Sequence, residues 1–191
     1  LVDTALLSYN QLKFIISWLI VFCVSSCCVD LVVSVVYVSS VLSDSVVLNN
    51  FSITTLFYYA KYYTNLVGIL KEYGIRSSFF IDPNINQLEA SIKCGVECVE
   101  FHMGHFCKLF YANKLKAEEE LKQIHKLSNS AFESGLEVHF GHGLDFETTK
   151  KLIQVKYLQE VNIGFFLIAE SIFSGLEVSI KKMKDICKGN F

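Results

Sequence analysis

The sequence predicts an α/β fold in which parallel strands alternate with helices. From residue 66 onward, short segments predicted as strands alternate with longer segments that have helical periodicity. The connections are short, and each run ends at a glycine or a polar residue. Such alternation is typical of βαβ units with right-handed crossovers. We therefore expect four strands in sequence order within one parallel sheet, with helices on its outer face.

The predicted elements follow one another with little intervening sequence. The end of a helix at 65–73 is closed by Gly74. Strands are predicted at 76–81, 97–102, 137–140 and 158–164, and helices at 85–93, 113–134, 146–154, 166–173 and 176–187. Apolar residues at helical spacing predict the buried side of the longest helix, namely Leu115, Leu121, Ile124, Leu127 and Phe132.

The composition changes abruptly near residue 65. Residues 1–65 contain no Gly, Pro, His, Arg or Glu, and before Lys61 the charged residues are Asp3, Lys13, Asp30 and Asp44. We therefore divide the chain into an apolar segment of unassigned structure at 1–65 and an α/β region at 66–191. Translation in a wrong reading frame, upstream of a genuine coding segment, would produce the first composition. The nucleotide sequence tests that hypothesis.

Two apolar runs, at 14–29 and 31–42, raise the question of a membrane segment. Each is shorter than the roughly 20 residues that a spanning helix needs, and a joined span would bury Asp30. The start of the sequence also lacks the basic region of a signal peptide. A membrane-anchored domain stays an alternative, although contact of residues 14–42 with a membrane is not favoured.

The charge and the cysteines restrict the expected partners and compartment. A net charge of -2 offers no basic face to nucleic acid. The seven cysteines are an odd number without regular spacing, which predicts reduced thiols in a cytoplasmic protein. A zinc site is not favoured because the candidate ligands belong to different elements, and we expect no metal. Those candidates are Cys94, Cys98, His102, His105 and Cys107.

The most informative stretch is a histidine between two glycines, Gly141-His142-Gly143, placed between a predicted strand and a predicted helix. Glycines permit tight turns and the close approach of a ligand. Asp145 can cap the helix, which would leave backbone N–H groups pointing back at the turn. Together these features could bind a phosphorylated substrate. On the local pattern alone, a glycine-rich turn with an exposed histidine is the favoured interpretation.

Four motifs, in order and in spacing, resemble the second half of the pyridoxine 5′-phosphate synthase family. They are SFFIDP at 78–83, VEFHMG at 99–104, VHFGHGL at 138–144 and VNIG at 161–164. The stretch AESIFSGL at 169–176 and the closing helix extend the resemblance to roughly 66–189. Because the family is a TIM (β/α)8-barrel, the resemblance implies that this region is about half of a barrel, with strands five to eight.

The resemblance also implies an activity. The family condenses 1-deoxy-D-xylulose 5-phosphate with 3-amino-2-oxopropyl phosphate to pyridoxine 5′-phosphate, releasing water and inorganic phosphate. It uses no metal and no organic cofactor, and it is homo-oligomeric. By resemblance the chain is therefore a transferase of vitamin B6 biosynthesis that acts on two small phosphorylated substrates.

Individual roles carry over to matching positions. The resemblance implies that His142 is the proton donor and that Glu100 stabilises charge in the transition state. It places the amino-ketone phosphate at Gly143, Gly164 and Phe165. A histidine can donate and recover protons near neutral pH, which agrees with the implied role. Without the neighbouring motifs, a salt-bridged interior carboxylate would be the favoured interpretation of Glu100.

Several positions depart from the family and limit the expected activity. Phe165 stands where the family has a phosphate-binding histidine, Met103 replaces a threonine, and His139-Phe140 replaces a small polar pair. The family's first half supplies an Asp-His pair, an arginine, a histidine that acts as base and a catalytic glutamate. Residues 1–65 contain none of the last three residue types. Little or no synthase activity is therefore expected, and a catalytically inactive remnant stays an alternative. For His102 we favour a hydrogen-bonded histidine of the core or rim.

Overall fold

The structure, a computed structural model, describes residues 23–25, 53–74 and 76–189. These residues form five strands and seven helices. In chain order they are β1 (Cys23–Ser25), α1 (Ile53–Glu72), β2 (Ser78–Ile81), α2 (Ile85–Cys94), β3 (Cys98–His102), α3 (Gly104–Ala112), α4 (Lys114–Glu133), β4 (Glu137–Gly141), α5 (Phe146–Leu152), β5 (Leu158–Asn162), α6 (Phe165–Ser174) and α7 (Leu176–Cys187).

The strands form one sheet in the order β1-β5-β4-β3-β2. The strands β2 to β5 are parallel and neighbour one another in sequence order, which confirms the predicted α/β fold and fits the second half of a (β/α) barrel. The short strand β1 pairs antiparallel with β5. This strand belongs to the apolar segment 1–65, to which the sequence assigns no structure. The predictions for 1–22 and 26–52 lie outside the described residues.

For the helix that precedes β2, the sequence predicts only the end, at 65–73. It begins at Ile53 and ends at Glu72, and Gly74 follows in the left-handed conformation with φ 68°. The proposed division at residue 65 therefore falls within a continuous helix. Neither this helix nor another one in the described part of the chain is long and apolar enough to cross a membrane.

The apolar core lies between the sheet and its helices. The strands contribute Val99, Phe101, Val138, Phe140 and Val161, all buried. On α4 the predicted Leu121, Ile124 and Leu127 are buried, but Leu115 is 81% exposed and Phe132 is 45% exposed. Ala117 and Ala131 instead complete the buried face, because residues at helical spacing from Ile124 form that stripe and Leu115 lies off it.

The opposite face of the sheet carries polar side chains. The strand register places Phe80, Glu100, His139 and Glu160 in one row across four strands. The next row toward the carboxyl ends holds His102, Gly141 and Asn162. Glu100, His139 and Glu160 are nevertheless buried. These two rows position the candidate site.

Candidate functional site

The candidate site lies at the carboxyl ends of β3 and β4, where the Glu100 side chain crosses the Gly141 backbone. A Cβ atom at Gly141 would lie 1.7 Å from Glu100 Oε1 and 2.7 Å from its carboxyl carbon. Gly141 is therefore required because it leaves room for a carboxylate. In the turn that follows, His142 and Gly143 adopt positive φ angles of 68° and 79°.

The Glu100 carboxyl is buried and held by one amide. Asn162 Nδ2 donates a hydrogen bond of 2.9 Å to Glu100 Oε2. Burial raises the pKa of Glu100 to about 7, and the nearby Glu160 also raises it, while the hydrogen bond from Asn162 opposes the shift. A carboxyl with this pKa gains and loses its proton near neutral pH.

His142 sits in the turn with its ring against that of His102. The two ring centroids are 4.4 Å apart and the ring planes differ by 23°. Burial lowers the pKa of His142, and the nearby His102 and Lys108 lower it further. The imidazole is therefore mainly neutral at pH 7, with one protonated ring nitrogen to donate and one nitrogen to accept.

The helix that follows the turn is capped by its own aspartate. Asp145 Oδ1 accepts a 2.8 Å hydrogen bond from the Thr148 N–H, and Thr148 Oγ1 accepts one of 2.9 Å from the Asp145 N–H. This confirms Asp145 as the cap of α5. The cap thereby satisfies the backbone N–H of Thr148.

Gly164 and Phe165 begin α6 at the same edge of the sheet. Gly164 comes two residues after Asn162, the residue that binds Glu100. The ring of Phe165 is 90% exposed, and among the described residues no side chain caps this helix start. The structure thus leaves Phe165 at the surface.

A second buried polar group lies one row below the site. His139 Nδ1 is 3.5 Å from Glu160 Oε1, and His139 Nε2 is 3.4 Å from Glu137 Oε2. Burial lowers the pKa of His139 although both carboxylates oppose that shift. Sequence reasoning gave these residues no role. The polar residues at every second position of β4 and β5 could have indicated them, because alternate residues of a strand lie on the same face of the sheet.

The cysteines considered as zinc ligands are buried thiols. Among the described residues, no three His, Cys, Asp or Glu side chains are placed to share a metal ion. Burial raises the pKa of Cys98 and that of Cys107 to about 11. These thiols are therefore protonated and weakly nucleophilic at neutral pH.

The raised pKa of Glu100 predicts a measurable effect on stability. The folded chain holds the Glu100 proton more tightly than the unfolded chain does. The protonated carboxyl therefore contributes fully to the free energy of unfolding below about pH 4.5, and this contribution is lost as pH rises through about 7. Glutamine mimics the protonated carboxyl at every pH. We therefore expect the free energy of unfolding of Glu100→Gln, taken relative to that of the wild type, to be roughly 3 kcal/mol higher at pH 8 than at pH 4.

Urea denaturation of both proteins at the two pH values measures this gain. Glu119→Gln removes the same charge from an exposed position on α4 and gives the baseline. A stability difference between Glu100→Gln and the wild type that does not change with pH would contradict the assignment of a proton to Glu100.

Parallel β/α units with polar side chains at the carboxyl ends of the strands define the class of (β/α)-barrel proteins, whose ligand sites lie at those ends. A family model, that of the pyridoxal phosphate biosynthesis protein PdxJ, matches residues 56–189. The chain belongs to this family. The match begins within α1, before the predicted boundary at residue 65.

Curated relatives agree with the family model. The chain is 37% identical over 125 residues to pyridoxine 5′-phosphate synthase of Sulfurihydrogenibium sp. (strain YO3AOP1), which covers 65% of this chain and 50% of that protein. It is 41% identical over 123 residues to the synthase of Bdellovibrio bacteriovorus, with coverage of 64% and 50%. The synthase of Pelagibacter ubique is 39% identical over 122 residues, with coverage of 64% and 51%. The chain thus spans about half the length of the curated relatives it matches.

Proposed function

We propose that the chain carries the proton-donating and phosphate-binding half of a pyridoxine 5′-phosphate synthase site. The observation that supports this most directly is the placement of Glu100. Its carboxyl group is bound by Asn162 and lies against Gly141, the residue before His142. The family resemblance gives the two chemical roles to Glu100 and His142. Glu100 thus lies against the residue that precedes His142, at the ends of β3 and β4.

The proposed reaction joins 3-amino-2-oxopropyl phosphate to 1-deoxy-D-xylulose 5-phosphate. The amine of the first substrate attacks a ketone of the second, and loss of water gives an imine. The departing hydroxyl takes a proton, which the imidazolium form of His142 can donate and later recover. When ionised, the Glu100 carboxylate stabilises the positive charge that develops on nitrogen. Its pKa of about 7 allows both protonation states at neutral pH.

The proposed phosphate contacts are backbone N–H groups at Gly143 and Gly164. The positive φ of Gly143 and its close approach to the Gly104 backbone, where a Cβ would lie 3.2 Å from the Gly104 Cα atom, require a residue without a side chain. Gly164 precedes a helix whose start lacks a side-chain cap among the described residues. Such a start favours an anion. Phe165 cannot donate a hydrogen bond to the phosphate.

A catalytically inactive remnant is the second candidate function. Phe165 favours it, because the aromatic ring is exposed at the position where the family resemblance places a phosphate-binding histidine. The absence of His, Arg and Glu from residues 1–65 also favours it. Such a remnant retains substrate-binding elements or nothing at all, and one that retains nothing differs from the first candidate in that it does not bind substrate.

Binding of 3-amino-2-oxopropyl phosphate, followed by isothermal titration calorimetry, distinguishes them. We expect the wild type to bind and Phe165→His to bind at least about tenfold more tightly, since a charge-assisted hydrogen bond contributes roughly 1.5–3 kcal/mol. Phe173→His adds a histidine at an equally exposed position near the other end of α6 and should leave the affinity unchanged.

The same titration with inorganic phosphate controls for nonspecific anion binding. If neither the wild type nor Phe165→His binds the amino-ketone phosphate, the proposed function fails and the inactive remnant is favoured. An equal gain in Phe173→His would show that added positive charge, and not the predicted contact, strengthens binding.

A further inference from the structure

Two histidine rings stack at the ends of β3 and β4, and the proposed function uses only one of them. The rings of His102 and His142 come from positions 40 residues apart, so that only the fold brings them together. Their centroids are 4.4 Å apart with planes inclined by 23°. The resemblance gave His102 no role, and sequence reasoning favoured a core or rim histidine.

The surrounding residues leave these rings little freedom. A Cβ atom at Gly104 would lie 2.6 Å from His102 Cε1 and 3.0 Å from His142 Cδ2, so the first residue of α3 must lack a side chain for both rings to fit. Phe80 contacts His102, with ring centroids 5.3 Å apart and planes inclined by 54°. His102 is therefore packed between β2 and α3, while His142 projects from a turn. The packed ring can fix the orientation of the other.

The charges around His142 disfavour two protons on the pair. His102 from β3 and Lys108 from α3 both lower its pKa. Two carboxylates at this end of the sheet have other partners: Asp145 accepts from Tyr111 and Thr148, and Glu100 accepts from Asn162. Cys107 on α3 is a protonated thiol near Gly143. Two imidazolium rings in contact would therefore repel each other without a compensating anion.

We propose that His102 is a positioning residue for His142, and that the stacked pair carries at most one positive charge at a time. This deepens the proposed function, on which its catalytic meaning rests, because it names the residue that orients the proposed proton donor. In this arrangement His142 holds one ring orientation when it takes up and donates its proton.

The proposal is tested by NMR titration of the full chain with isotopically labelled histidine. His102→Phe keeps an aromatic ring beside His142, but the phenyl ring cannot take up a proton. We expect it to raise the proton affinity of His142 at least about threefold, because it removes the repulsion between the rings. His125→Phe replaces a histidine on α4 and is the matched control, which should leave His142 unchanged.

In the wild type, a nuclear Overhauser effect should connect protons of the His102 and His142 rings, as expected of rings whose centroids are 4.4 Å apart. Absence of that contact, together with an unchanged proton affinity of His142 in His102→Phe, would overturn the proposal. The wild-type measurement does not depend on whether a variant folds. No substrate is present, so a failure here is distinct from the failure of substrate binding that would disprove the proposed function.

Discussion

A purified polypeptide of these 191 residues is expected to form pyridoxine 5′-phosphate at least about 10⁴ times more slowly than a full-length relative. Loss of a positioned general base alone typically costs about 10²–10⁴-fold. By family resemblance the base, an arginine and a further glutamate come from the first half of the barrel. Residues 1–65 contain no His, Arg or Glu to replace them. Phe165 weakens the expected phosphate binding further, since it offers no charge-assisted hydrogen bond.

A coupled assay for pyridoxine 5′-phosphate measures this deficit, with the Sulfurihydrogenibium synthase as the reference. The comparison is made at saturating substrate, so that weak binding and slow chemistry are separated. Turnover within tenfold of the reference would contradict the expectation. It would mean that a partner chain, or residues given no role here, complete the site.

The parallel sheet could be predicted because its signals are local. Each strand from β2 to β5 is a short segment that ends near a glycine or a polar residue, and the helices between the strands have apolar residues at helical spacing. The capping of α5 by Asp145 is also a local pattern, since the aspartate and Thr148 are three residues apart.

Two elements escaped prediction for physical reasons. The helix α3 begins at Gly104, two residues after β3. Glycine has a low helix propensity and more often marks the end of a strand or helix than the start of a helix. The strand β1 has three residues within a uniformly apolar stretch, where no turn signal marks its ends. Its partner strand β5 lies more than 130 residues further along the chain.

The contacts of the site depend on the fold and could not be read from spacing. Glu100 binds Asn162 across 62 positions of sequence. The two glycines of the turn seemed to have one purpose, but Gly141 makes room for a carboxylate whereas Gly143 has a positive φ. Family resemblance located Glu100 and His142, while the contact between His102 and His142 required the structure.

A chimera isolates the claim that residues 66–189 carry the proton donor. In it, the second half of the Sulfurihydrogenibium synthase is replaced by residues 66–189 of this chain with Phe165→His, so that the other half supplies the missing groups. We expect turnover clearly above background. His142→Ala in this chimera should then lower kcat by about 10²–10⁴-fold, the usual contribution of a positioned acid or base.

The decisive measurement is kcat of this chimera with and without His142, with His125→Ala as the control for loss of a histidine elsewhere. The predicted result is a loss of at least about 10²-fold in His142→Ala and no loss in His125→Ala. A folded, active chimera whose kcat is the same in both variants would contradict the assignment of the proton donor to His142.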